Sequence, residues 1–159
     1  MSESITTTRR AEAMKVLENH LRHNEIITPD TLFVTLQEAG FDDDECCRLS
    51  GAILRTAKAN AWVERTIFGV KSKRNHSNSG TLWRSLIAGK KPNGKRISDS
   101  TLEAERQRWI DCGMITNEHH VNIIAWGIAQ REIATNPALT ARLLDKKKDG
   151  IKCGGLVLQ

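Results

Sequence analysis

"AWVERTIFGVKSKRNHSNSGTLWRSLI", residues 61–87, decides the fold. Its two ends are rich in strand formers. Ala61 to Phe68 carries Trp62, Val63 and Ile67, and Thr81 to Ile87 carries Leu82 and Trp83. Both runs read as β-strands. Asn78-Ser79-Gly80 between them suits a turn. Two strands and a turn predict a hairpin, with a loop over residues 69–80. That loop is basic: Lys71, Lys73 and Arg74 stand in it beside His76, without a carboxylate.

The charge bias is wider than the loop. Residues 65–98 hold nine basic side chains and no acidic one: Arg65, Lys71, Lys73, Arg74, Arg84, Lys90, Lys91, Lys95 and Arg96. Residues 1–64 net −4 and residues 99–159 net 0, so this segment supplies the whole +5 of the chain. Carboxylates repel a polyanion and ammonium and guanidinium groups attract one. A polyanionic partner therefore explains the asymmetry better than simple solvation of a charged face.

Upstream, three helices are expected. Over residues 8–23, Ala13, Met14, Leu17 and Leu21 recur at steps of three and four and share one face. Ile26-Ile27 is long enough only for a brief strand. Thr28-Pro29 places a capping hydroxyl before a proline at the first helical position. The helix it opens runs to Ala39, with Leu32, Phe33 and Leu36 inward, and Gly40 closes it. Asp42, Asp43, Asp44 and Glu45 open a third helix, where carboxylates satisfy free amides and the positive end of the dipole. It continues to Ala59 and is closed by Asn60. Cys46, Leu49, Ile53 and Ala57 form its inner face, and Arg48, Ser50, Gly51, Arg55 and Lys58 its outer face.

Helix, short strand, helix, helix and a hairpin with a basic loop: this order resembles the winged-helix superfamily of DNA-binding domains. The residues that carry the resemblance are Thr28-Pro29 to Gly40, Asp43 to Asn60, and Trp62 to Trp83. It implies a mainly α fold with a small β-hairpin for residues 8–88, with 69–80 as the wing. It also implies that the third helix enters the major groove and that Arg48, Arg55 and Lys58 supply what base contact there is. The acidic start of that helix departs from the pattern, because four carboxylates oppose a phosphate backbone. They offer instead a docking edge for a protein partner.

Downstream, Gly89-Lys-Lys-Pro-Asn-Gly-Lys-Arg reads as a basic linker, residues 89–98. Ser100 and Glu103 have capping-box spacing, and a helix is expected over Thr101 to Cys112 with Leu102, Trp109 and Ile110 inward. A long helix follows over Glu118 to Thr135. Val121, Ile124, Ala125, Ile128 and Ile133 line one stripe of it, which could serve as a homodimer surface. Pro137 starts a sixth helix. Residues 99–145 thus read as a helical module and 146–159 as a tail.

Motifs of catalysis are not evident. Cys46 and Cys47 are adjacent, so on a helix they diverge by about 100° and do not share one zinc ion. No Gly-x-x-x-x-Gly-Lys loop followed by Ser or Thr, and no dinucleotide fingerprint, occurs. The sequence points to a non-enzymatic protein with no cofactor and no metal. No apolar run reaches the roughly 18 residues of a membrane span, and the polar start, Met1 to Thr6, lacks the apolar stretch of a signal peptide. The expectation is a cytoplasmic protein. Double-stranded DNA is its expected partner, in transcription regulation, replication initiation or DNA organisation of a bacterium or mobile element. The alternative is a winged-helix module that docks on a polymerase, a helicase or a nucleoid protein through Asp42 to Glu45.

Overall fold

A computed structural model describes residues 2–72 and 79–148. It is mainly helical, with one small antiparallel sheet. In chain order the elements are α1 (Ser2–His23), β1 (Ile26–Ile27), α2 (Pro29–Glu38), α3 (Asp43–Ala59), β2 (Val63–Lys71), β3 (Ser79–Ser85), α4 (Asp99–Asp111), α5 (Asn117–Thr135) and α6 (Pro137–Lys148). The chain divides into two compact units, residues 1–123 and 124–159.

The starts of α2, α3 and α4 share one local chemistry. Thr28 caps α2 and exchanges hydrogen bonds with Thr31, and Asp42 caps α3 and does the same with Glu45. Each cap follows a buried apolar residue, Ile27 or Phe41. Four positions beyond the cap stands another buried one, Leu32 or Cys46. That spacing is the hydrophobic staple, which fixes the angle at which the chain enters the helix. For α4 the cap is Ser98, whose hydroxyl accepts from the Thr101 amide, and not the expected Ser100. The buried Ile97 before Ser98 gives it the staple spacing with Leu102, which Ser100 lacks.

The sheet order is β1-β3-β2, antiparallel throughout, with Ile26 opposite Arg84 and Ile27 opposite Trp83. β1 is only two residues long, yet its side chains point to opposite faces, as successive strand residues must. Ile27 joins a core with Leu17 and Leu21 of α1, Leu32 and Leu36 of α2 and Ile53 of α3. Ile26 joins a second core with Leu82, Trp109, Ile115 and Ile123. The sheet is therefore covered on both faces, by α1–α3 on one and by the region of α4 on the other.

β2 carries a bulge between Arg65 and Gly69. Three residues of β2, Thr66 to Phe68, stand opposite Leu82 alone, so the register shifts by two and the alternation of faces is kept. Val63 points into the first core, and Phe68 and Val70 pack on the second. Arg65, Ile67, Gly69 and Lys71 are left exposed.

Several boundaries differ from the sequence reading. α1 begins at Ser2, six residues early, because extending a formed helix gains a bond for each residue added. The hairpin ladder reaches Lys71 and Ser79, so the loop is shorter than 69–80. Residues 89–98 are not a loose linker. Lys90 bridges Arg96, the Gly89 amide donates to Arg22 O at 2.8 Å, and Arg22 Nη1 donates to Lys90 O at 2.9 Å. These bonds make the segment a closed turn pinned to the end of α1. α4 lies in the first unit, so the division falls inside α5 and not before residue 99. On α5 the buried apolar residue is Ile123, at 1% exposure, while Ile124 and Ile128 of the expected stripe are 45% and 49% exposed.

Candidate nucleic-acid interface

α3 sorts its residues by face. Cys46, Leu49, Ile53 and Ala57 are buried, at steps of three and four. The opposite line runs Asp44, Arg48, Gly51, Arg55 and Lys58, all exposed. Ser50, expected on that outer face, turns back and donates to the Cys46 carbonyl. Among the described residues, Arg48, Arg55 and Lys58 make no hydrogen bond or ion pair within the chain. Arg10, which the sequence did not single out, reaches this helix and donates to Thr56 Oγ1 at 3.1 Å. The contact spans 46 positions, so no local pattern announces it.

The acidic start of α3 is largely occupied by the fold itself. Asp42 is the cap, accepting from the Glu45 amide at 2.8 Å. Asp43 accepts from Gln37 Nε2 at 2.8 Å. Glu45 is held in a bidentate pair with Arg9, both bonds 2.9 Å, and also accepts from the Asp42 amide. The Arg9 guanidinium also lies 3.9 Å from the centre of the Phe41 ring. Hydrogen bonds from Arg9, and then from the Asp42 backbone, hold the Glu45 carboxyl down at about 2. The same pairing raises Arg9. Of the four carboxylates, Asp44 is the one with no bond among the described residues. Arg9 offsets the charge of Glu45, whereas the bonds to Asp42 and Asp43 come from neutral amides, and Asp42, Asp43 and Asp44 are exposed.

On the hairpin, Arg65 and Lys71 of β2 are exposed. Lys71 borders an open cleft of about 280 Å³, with Asp30, Met114 and His119 among its walls. Arg84 is not available to a partner. It is half-buried, sits opposite Glu64 in the ladder and pairs with it at 2.7 Å. Lys73 and Arg74 lie outside the described residues. In the turn after β3, Lys90, Lys91 and Lys95 are exposed, while Arg96 pairs with Asp99 at 2.8 Å. Both partners of that last pair are about 80% exposed, at 79% and 80%, so it competes only weakly with a phosphate.

The residues that could have suggested catalysis or a metal have structural roles. Cys46 is buried with Sγ toward Phe33 O and Phe41 O, and burial pushes its thiol up. Cys112 Sγ lies 3.2 Å from Trp109 O. His119 and the Thr116 hydroxyl cap the start of α5 reciprocally, at 3.2 and 3.1 Å. His120 is buried with Nδ1 3.5 Å from a Glu25 carboxylate oxygen. With Arg106 behind it, it holds the Glu25 carboxyl below its usual range. Among the described residues no group of three or more His, Cys, Asp or Glu side chains is placed to share an ion. No helix among them is long and apolar enough to cross a membrane.

Comparison with family models, with curated proteins and with solved structures finds no match to this chain.

Proposed function

We propose that this chain binds double-stranded DNA, without catalysing a reaction on it, in the manner of a winged-helix domain. One observation carries the reading. The exposed line of α3 holds Arg48, Arg55 and Lys58, whose side chains make no hydrogen bond or ion pair among the described residues. The hairpin and the turn after it add Arg65, Lys71, Lys90, Lys91 and Lys95 in the same condition. The order α1-β1-α2-α3-β2-β3, with sheet order β1-β3-β2, agrees with the winged-helix resemblance of the sequence. In that arrangement α3 lies in the major groove and the hairpin loop reaches the flanking backbone. The cations neutralise phosphates and release counterions, so affinity is steeply salt-dependent. Regulation of transcription, initiation of replication and DNA organisation are the roles such a protein fills.

The test is binding to mixed-sequence duplexes across a salt series. Each phosphate engaged adds roughly 0.9 to the slope of log affinity against log salt, so about four engaged cations give a slope near −4. Replacing Arg48, Arg55 and Lys58 together by alanine flattens the slope by roughly 2 to 3 units. A folded wild-type protein that fails to bind duplex DNA at micromolar concentration and low salt defeats the reading.

A further inference from the structure

The middle of the exposed α3 line is a glycine, and nothing inside the chain requires one. Gly51 lies in regular helix, one turn from Arg48 on one side and from Arg55 on the other. Glycine in a helix interior is unfavourable relative to alanine, because it gives up more backbone freedom on folding. Such a residue is explained when a neighbour fills the space a side chain would take, or when the backbone adopts a left-handed angle. Gly80 shows the first case: a Cβ there would stand 2.9 Å from Pro29 Cγ and 3.2 Å from its Cδ. Gly40 shows the second, at φ +95°. Gly51 shows neither. A Cβ on it would meet only Arg55 Nη1, at an ordinary 3.7 Å and at the end of a flexible side chain.

We propose that Gly51 is the point at which the α3 backbone makes its closest approach to the DNA, a specificity-determining position on the face assigned above. The inference rests on the DNA-binding reading and deepens it. An α-helix with its side chains is about 10–12 Å across, close to the roughly 12 Å width of the major groove. A helix that fills the groove so closely has little room for side chains at its deepest line. Glycine there lets the backbone settle toward the base edges. Arg48 and Arg55 stand seven positions apart, about 10 Å along the axis, and flank that point from both sides. Their guanidinium groups are then placed to reach guanine edges or the phosphates at the groove margins. Any side chain at position 51 lifts the helix and loosens both.

The experiment compares wild type, Gly51→Ala and Gly51→Gln in two readouts. One is urea denaturation. The other is fluorescence anisotropy with a mixed-sequence DNA duplex of about two helical turns. The expected result is opposite movement. Both variants have a urea midpoint at or above that of wild type, since both residues favour helix over glycine. Affinity falls by several-fold for alanine and by roughly tenfold or more for glutamine. Loosening Arg48 and Arg55 gives up as many as two phosphate contacts, so the salt slope flattens by up to roughly 1.8 units. Two results overturn the proposal while leaving DNA binding intact: variants that bind like wild type, or variants that lose stability along with affinity, which would make Gly51 a structural residue. Absence of DNA binding by wild type removes the underlying reading and this inference with it.

Discussion

His20 makes this fold sensitive to mild acid, and the size of the effect follows from where it sits. It is buried on α1, edge-on to the Trp109 ring with centroids 5.6 Å apart, and Thr35 Oγ1 lies 3.2 Å from its Nδ1. Its Nε2 is buried without a hydrogen-bond partner. Burial lowers the imidazole from 6.5 to about 4; Glu105 opposes that shift, and Arg108 and His23 add to it. A histidine held neutral in the folded state takes up a proton more readily when unfolded. Below 6.5 the unfolded chain binds the extra proton, so stability falls as pH falls toward 4. Each pH unit inside that window costs up to about 1.4 kcal/mol. From pH ~7.5 to ~4.5 the loss from His20 alone comes to about 2.5 kcal/mol. With a urea slope of about 1.5 kcal/mol per molar, the midpoint moves by roughly 1.5 M. Staying above pH ~4.5 keeps the lowered carboxylates Glu25 and Glu45 ionised in the native state, since each loses its contribution only below the ordinary carboxylate value. The assay is urea denaturation of wild type and His20→Leu at intervals across this range. Leucine removes this group, so the variant's pH profile should be shallower by about that amount whatever its stability at neutral pH, with the lowered His119 among the groups that keep titrating. Parallel pH profiles for the two proteins would refute the assignment.

Gly80→Ala should destabilise the protein by about 1–3 kcal/mol, because β3 passes too close to the Pro29 ring for a Cβ; a shifted thermal midpoint would show it. Ile123→Asp and Ile124→Asp should separate sharply. The first buries an unpaired charge in the second core at a cost of several kcal/mol, and the second is tolerated, as circular dichroism and thermal melts can read. Asp42→Ala removes the cap of α3 and should cost about 1 kcal/mol in urea denaturation. Alanine at Arg84, already committed to Glu64, should alter the salt slope of DNA binding far less than alanine at Arg55.

The local chemistry of the chain is legible in its amino-acid sequence. The buried sets of α1, α2 and α3 follow from their three- and four-residue steps, and the caps at Thr28 and Asp42 from residue types within one turn. The charge imbalance over residues 65–98 needs only counting. These features depend on bonds between near neighbours, or on composition, so the sequence alone determines them. The tertiary structure decided what depends on distant partners. Arg84 and Arg55 look alike in sequence, yet only Arg84 meets a carboxylate, because strand pairing brings Glu64 opposite it. Arg9 neutralises Glu45 from 36 positions away, which offsets one of the four charges at the acidic helix start. The apolar residues of α5 offered more than one face, and packing in the second core selected Ile123 over Ile124. Periodicity shows that a helix has an apolar side. Which part of that side is covered depends on the surface that the rest of the chain brings to it.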